Sequence, residues 1–531
     1  MRLRGLRCVE SRGWSARGSW TAIALTVGQI VGCSAPEAEK PTGPPTFAGV
    51  SLSLGAVGDP AVLAGVTAAR GEWTASRQAE LSIAKSPIAD LADVQGVDLI
   101  VFPGDALGEL VDRDLLEVIP NSLVIPPAPV ADPLRPNARK DEAEEAPEDP
   151  YKHDDLAPAF RDQVARYGND RYALPMGGSV LVLVYRGDAF ASEANKKGAA
   201  EQGLTLEAPR TWAELDALAR FFQGRDWNGD GEPDFGLAAA LGGDAEGIAN
   251  ATFLSRAAAL GQHRDQYSFL FDSDAMTPRI DAPPFVEALG AVAAWKSVGP
   301  PGVESFDAAA ARKAFREGRT ALLIDRAEKA GDWEGPGGAA IGVARLPGSD
   351  RVFEPLRKTW ETDESLNQPA YLPFGGGWLV GVRAGLEAGK KAAALDLARY
   401  LSSPDVSSRL RAEHDFPMAP VRASQMGKGP PDPTAAPNVD VRLWSNAVGR
   451  SLMGLRVLPG LRIPEADAYL ADLSKGRAEA LAGKPPEAAL RDVAAAWSAR
   501  TQALGPKRQV WHYRRSLNTL PTSPQPPERG K

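Results

Sequence analysis

The run Val97-Asp98-Leu99-Ile100-Val101-Phe102 decides the fold class of this chain. It is almost continuously apolar, as a parallel strand covered on both faces must be. Upstream, Val50-Ser51-Leu52-Ser53-Leu54 alternates with period two. Glu80 to Ile83 is a second short strand after an Ala-rich helical stretch. Strands alternating with helices predict an α/β sheet.

The same signals recur downstream. Tyr172-Ala173-Leu174-Pro175 leads into the strand Val180 to Tyr185. Thr211-Trp212-Ala213-Glu214 is a capping box, in which the Thr hydroxyl and the Glu carboxylate each satisfy a free backbone N–H. Leu215, Leu218, Ala219 and Phe222 then mark one buried helical face. A helix over about 308–316 stops at Gly318, and the strand Thr320 to Ile324 follows. Gly375-Gly376-Gly377 opens a strand through Val382, and Lys390 to Leu401 is a helix ended by Ser402-Ser403-Pro404. Two more helices are expected near 465–481 and 486–501. Two stretches break the pattern. Residues 121–150 are Pro-rich and then acidic, a composition that favours disorder. Residues 506–531 are Pro-rich and basic and are expected to form a flexible tail.

The N-terminus is a secretory leader. Five Arg precede a short apolar run, Trp20 to Val31, which ends at Gly32-Cys33. The cysteine behind a small residue resembles a bacterial lipobox, which implies a signal peptide over 1–32, lipidation of Cys33 and a tether over 33–46. The mature chain would then be anchored by lipid in the cell envelope, on the periplasmic side, since each buried CH₂ is worth ~0.8 kcal/mol. Loss of five Arg and Glu10 takes the net charge from −8 to −12. An acidic surface argues against nucleic-acid binding, which needs a basic footprint. Cys8 leaves with the leader, so the mature chain has no intramolecular disulfide to form.

Catalytic signatures are lacking. The four His show no H-E-x-x-H spacing, there is no G-x-S-x-G elbow, and Gly375-Gly376-Gly377 lacks the Lys-Ser/Thr of a phosphate loop. Plentiful Asp and Glu leave room for a glycosidase carboxylate pair. The sharpest local motif is Asp226-Trp227-Asn228-Gly229-Asp230-Gly231-Glu232-Pro233-Asp234. Oxygen ligands at alternate positions with Gly at the sixth are what an EF-hand loop uses for Ca²⁺. Asp226, Asn228, Asp230 and Asp234 would offer side chains and Glu232 its carbonyl, for a structural ion. The twelfth position is Leu237 rather than Glu. The competing reading is a polar turn whose Asx side chains bond their own backbone.

Six segments, in order, resemble the extracellular solute-binding proteins of ABC importers, of the sugar-binding type related to maltose-binding protein. They are Asp98 to Leu116, Tyr172 to Tyr185, Pro209 to Leu237, Gly318 to Ile324, Gly376 to Leu401, and Leu490 to Trp497. The resemblance implies an α/β, two-lobe periplasmic-binding-protein-like (type II) fold with discontinuous lobes and a hinge. Residues 47–175 with 377–418 would form one lobe, and 176–376 with 419–505 the other. It also implies a non-catalytic receptor, without a required cofactor, that hands a carbohydrate to the transmembrane subunits of a permease.

Position by position, the resemblance places Asp59 and Asp105 as hydroxyl acceptors. Phe102 and Tyr469 fall on aromatic walls, Gly104 on the binding loop, and Ser179 where relatives carry Glu. Trp378, after three glycines, is a further candidate wall. The competing readings are that Asp105 caps the helix that follows it and that Phe102 is core at a strand end. Asp325-Arg326 stands where an aromatic is often found, and a buried Arg there would suit an anionic ligand. An envelope glycan hydrolase, or a receptor for an anionic or polyol solute, are the alternative readings.

Overall fold

The computed structural model describes residues 45–125, 149, 151–243, 246–413, 416, 418–426 and 436–527. Cys33, the expected leader over 1–32 and most of the expected tether over 33–46 lie outside them, as does most of the acidic stretch within 121–150.

Two sheets organise the chain. The first has the order 80–83, 51–56, 99–103, 377–382, 173–178. Its first three strands run parallel, as their apolar runs require. Gly377–Val382 is then antiparallel to both Leu99–Pro103 and Ala173–Gly178. Leu99, Ile100, Val101 and Phe102 are fully buried. Helices Pro60–Arg77 and Ala388–Leu401 pack on this sheet and on each other. Asp396 joins them by accepting from Trp73 Nε1 (2.9 Å) and Arg77 Nε (2.8 Å).

The second sheet has the order 341–345, 181–186, 320–326, 235–238. Leu181, Leu183, Leu322 and Ile324 face a core built with helices Trp212–Phe222, Ile248–Gly261, Pro283–Ala294, Ala466–Leu481 and Pro486–Leu504. A two-stranded hairpin, Ser349–Glu354 with Thr359–Asn367, lies outside this sheet.

The chain passes between the sheets at neighbouring places. Ser179 and Val180 link Gly178 of the first sheet to Leu181 of the second, and the 372–376 segment returns. Ser179 N donates to Gly376 O at 3.0 Å, tying these two crossings together. Gly178 and Ala419 exchange backbone hydrogen bonds of 2.8 and 2.6 Å.

Two expected boundaries shift. A cut between 175 and 176 would divide the strand Ala173–Gly178. Residues 419–422 stay with the first-sheet side, since Arg422 donates to Lys152 O (2.9 Å) and Ser402 O (2.8 Å). The segment expected to be a loose tail is, through Ser516, a packed helix, Pro506–Ser516. Val510, Trp511 and Tyr513 are buried, and Arg515 donates to Tyr167 O at 2.8 Å. Its basic residues pair and stack on rings, so the basic composition does not mean solvation.

Candidate functional site

At their C-terminal ends the first-sheet strands 51–56 and 99–103 deliver Asp59 and the turn Gly104–Ala106 to one edge. Open α/β sheets hold ligands at that edge. Beside it lies a cavity of about 340 Å³. Asp105 lines it from the first sheet; Asn250, Asp467 and Ser474 line it from the helices of the second, and Tyr371 and Phe374 from the returning crossing. The volume falls at the small end of ligand sites, which run ~300–1,000 Å³. A second cavity of about 370 Å³ lies beyond Tyr371, lined by 262–270 and 455–461, and takes no residue from the first sheet's strand ends.

Acidity dominates the first cavity. Burial, with the charge of Asp467 added, pushes the Asp105 carboxyl up to about 7. Desolvation and Glu109 likewise raise Asp467. No Lys or Arg lines the cavity among the described residues. The Asn250 amide donates to Leu470 O (3.1 Å) and Ser474 Oγ (2.9 Å) and accepts from the buried Arg477 (3.1 Å). Two helices begin here, Ile248–Gly261 and Ala466–Leu481. Acid and amide side chains beside a ring are the groups that hold a polyhydroxylated molecule.

Phe374 was not foreseen. It adopts φ +53°, ahead of Gly375, Gly376 and Gly377 at +62°, +112° and +133°. The left-handed turn brings its ring beside Gly247, while the Arg326 guanidinium stacks on it at 5.1 Å. A Cβ on Gly104 would lie 2.4 Å from Gly375 O, so Gly104 acts by permitting close backbone approach.

Of the residues singled out from sequence, only Asp105 lines this cavity. Asp59 is half-buried and caps the helix Pro60–Arg77 by accepting from Ala61 N at 2.9 Å. Trp378 is buried against Gly58, at the same sheet edge, and meets Phe416 edge-on. The two expected aromatic walls are core instead. Phe102 is fully buried, and Tyr469 is fully buried with its hydroxyl 2.9 Å from Thr501 and its ring against Phe271 and Trp497. The helix carrying Tyr469 does reach the cavity, two residues earlier at Asp467, where the helical phase turns outward.

The Asp325-Arg326 reading is also corrected. Asp325 is buried and accepts from Arg312 (2.7 and 2.9 Å) and Trp333 Nε1 (2.7 Å). Arg326 donates to Glu246 at 2.6 Å and lies 3.7 Å from Glu328. The guanidinium is thus already committed to carboxylates. Ser179 is buried and donates to Glu328. These groups form one ionic network beside the crossings, in which each carboxylate lies within 4 Å of a guanidinium.

The acidic loop stands apart. Asp226 accepts from the N–H groups of Gly229 (2.7 Å), Asp230 (3.1 Å) and Gly231 (3.0 Å). Asn228 accepts from Asp230 N (2.9 Å), and Asp230 from Glu232 N (2.9 Å). Leu237 belongs to the second sheet's core, so the twelfth position offers no ligand. Burial and the charges of Asp230 and Asp226 push Asp234 up to about 6.

Comparison with known proteins agrees with this architecture. Residues 87–438 match the family described as bacterial extracellular solute-binding protein, and the chain belongs to that family. Its members bind rather than transform their solutes, so the two cavity carboxylates are not those of a hydrolase. A search of curated proteins found no match. Among solved structures, a solute-binding protein of Agrobacterium radiobacter K84 in complex with ribitol is similar over 86% of this chain and 100% of that one, at 19% identity and TM-score 0.60. Maltose-bound MalE3 of T. maritima matches at 18% identity and TM-score 0.58, covering 85% and 100%. An Agrobacterium vitis S4 protein with bound D-mannitol matches at 17% and 0.55, covering 86% and 99%. The fold is therefore the two-lobe solute-binding fold. No helix among the described residues is long and apolar enough to cross a membrane.

Proposed function

We propose that this chain is an extracytoplasmic receptor that captures a small polyhydroxylated solute, a monosaccharide or an acyclic polyol, and delivers it to an ABC permease. The observation that carries this reading is the cavity lined by Asp105 from one side and Asn250, Asp467 and Ser474 from the other, beside Phe374. Its small volume favours one sugar ring or a linear polyol over an oligosaccharide. The lack of a lining cation among the described residues disfavours an anionic ligand, and the ligands of the similar structures, ribitol and D-mannitol among them, support a polyol. One lobe would be built on the first sheet, through Gly178 and again from Gly377 to Met426. The other would be built on the second sheet, through Gly376 and from Ala436 to Ser516. Cys33 would carry the lipid that holds the receptor at the membrane.

Titration calorimetry against ribitol, mannitol, glucose and maltose tests the reading. One of the first three should bind saturably without turnover, and Asp105→Asn should weaken it at least about tenfold, as loss of a buried hydrogen-bond partner does. A ligand at 100 times its Kd should stabilise the fold by ~2.7 kcal/mol. Tight binding of maltose alone, or no heat from any of the four, would refute it.

A further inference from the structure

The 226–234 loop carries a feature that a polar turn does not explain. In such a turn the backbone N–H groups are consumed by nearby Asx side chains, and here those of Gly229, Asp230, Gly231 and Glu232 go to Asp226, Asn228 and Asp230. Asp234 is different. The residue is 1% exposed and one of its carboxylate oxygens, Oδ2, is buried with no hydrogen-bond partner. Asp226, Asp230 and Asp234 each offer a carboxylate oxygen within 4.8 Å of the other two. Three carboxylates converge, and the buried one keeps an oxygen without a partner. Leaving a buried acceptor without a partner is costly, and a cation removes the cost while cancelling the mutual repulsion.

We propose that Asp226, Asp230 and Asp234 hold a hard divalent cation, Ca²⁺, which staples this loop onto the second sheet. The donors are all oxygen, and the loop is short and rich in carbonyls, which suits the six to eight ligands of Ca²⁺ better than the strict octahedron of Mg²⁺. The staple has anchors on both sides. Trp227 is buried edge-on to Phe222, its carbonyl accepts from Asn195 at 3.2 Å, and the Asn228 amide donates to Gly318 O at 3.2 Å. An ion at this position therefore fixes the helix Trp212–Phe222 to the strand Phe235–Ala238, away from the solute cavity.

The test uses the purified protein, stripped with chelator and titrated with CaCl₂ alone. One ion should bind per chain, and saturating Ca²⁺ should raise the unfolding midpoint by several degrees, with equimolar Mg²⁺ doing markedly less. Asp234→Asn should lower the Ca²⁺ affinity at least about tenfold, since a charged ligand is lost. Its midpoint in chelator should match or exceed the parent's. Should that variant misfold, Asp230→Asn, at an exposed position, reads the same loss of affinity. No heat and no midpoint shift at millimolar Ca²⁺, or stoichiometric binding that survives both substitutions, would overturn the site.

Discussion

Arg312 is the residue on which the buried charge of the second sheet rests. It reaches Asp325 and Glu246 together, and Arg326 completes the set on Glu246. Burial alone would raise the Glu246 carboxyl, but hydrogen bonds and charge from Arg312 and Arg326 outweigh it and hold the group at about 2. Replacing Arg312 by Met leaves buried Asp325 without a guanidinium while Glu246 keeps Arg326, and should cost about 3–5 kcal/mol in urea unfolding. An unchanged midpoint would mean that solvent reaches the network. Glu246 and Asp105 pull stability in opposite directions with pH. A carboxyl depressed to about 2 from 4.5 supports the fold at neutral pH and loses that support as pH falls towards 2. Asp105, raised from 3.8 to about 7, binds a proton in the folded state that the unfolded chain has released, so its contribution fades as pH rises from about 4 through 7. Asp105→Asn should therefore flatten the fall in melting temperature between pH 5 and pH 8. Parallel profiles for variant and parent would show that the carboxyl is not held protonated.

At the scale of the element, local chemistry can be tested without touching the site. Glu214 N donates to Thr211 Oγ1 (3.1 Å), and Glu214 accepts in return from Arg210 N (2.6 Å) and Thr211 N (3.2 Å). Thr211→Ala should cost about 1 kcal/mol, read as a shift of urea midpoint at unchanged slope. This capping box was fully legible in the sequence, because its two partners lie three residues apart and need no tertiary help. The parallel strands were legible for a similar reason: Leu99 to Phe102 are apolar on both faces and are buried on both faces. What sequence could not give is phase. The resemblance put Tyr469 on a ligand wall, but that side chain faces Thr501 and Trp497, and its helix reaches the cavity through Asp467 instead. Nor could it give partners acquired across the chain. Arg326 reads as a spare guanidinium until Glu246, 80 residues away, is placed on it. The helix 506–516 hid behind Pro and Arg, since Trp511, Tyr513 and Val510 are apolar at spacings that only a packed helix makes useful.

For the whole molecule, the two sheets communicate through crossings with almost no free space. Gly375 sits at φ +62°, and a Cβ there would lie 2.0 Å from Asp105 N; one on Gly377 would lie 2.4 Å from Gly177 O. Closure over a solute requires that a few backbone torsions in such segments absorb the rotation. Gly104 tests this without a change of torsional preference, because its own φ is ordinary and only the contact is lost. A methyl there meets the Gly375 carbonyl at 2.4 Å, and since the obstacle is backbone on both sides, neither can rotate away. Gly104→Ala should thus destabilise the fold by about 1–3 kcal/mol, the usual cost of overpacking. It should also wedge the returning crossing from the Asp105 turn, displacing a first-sheet ligand from its second-sheet counterparts. Small-angle scattering separates the two effects. The parent should contract when its solute is added, whereas the variant, still folded at low temperature, should keep its open radius and bind at least about tenfold more weakly, as misplacement of convergent groups implies. A variant that contracts like the parent would place the bend elsewhere than at the Gly104–Gly375 contact.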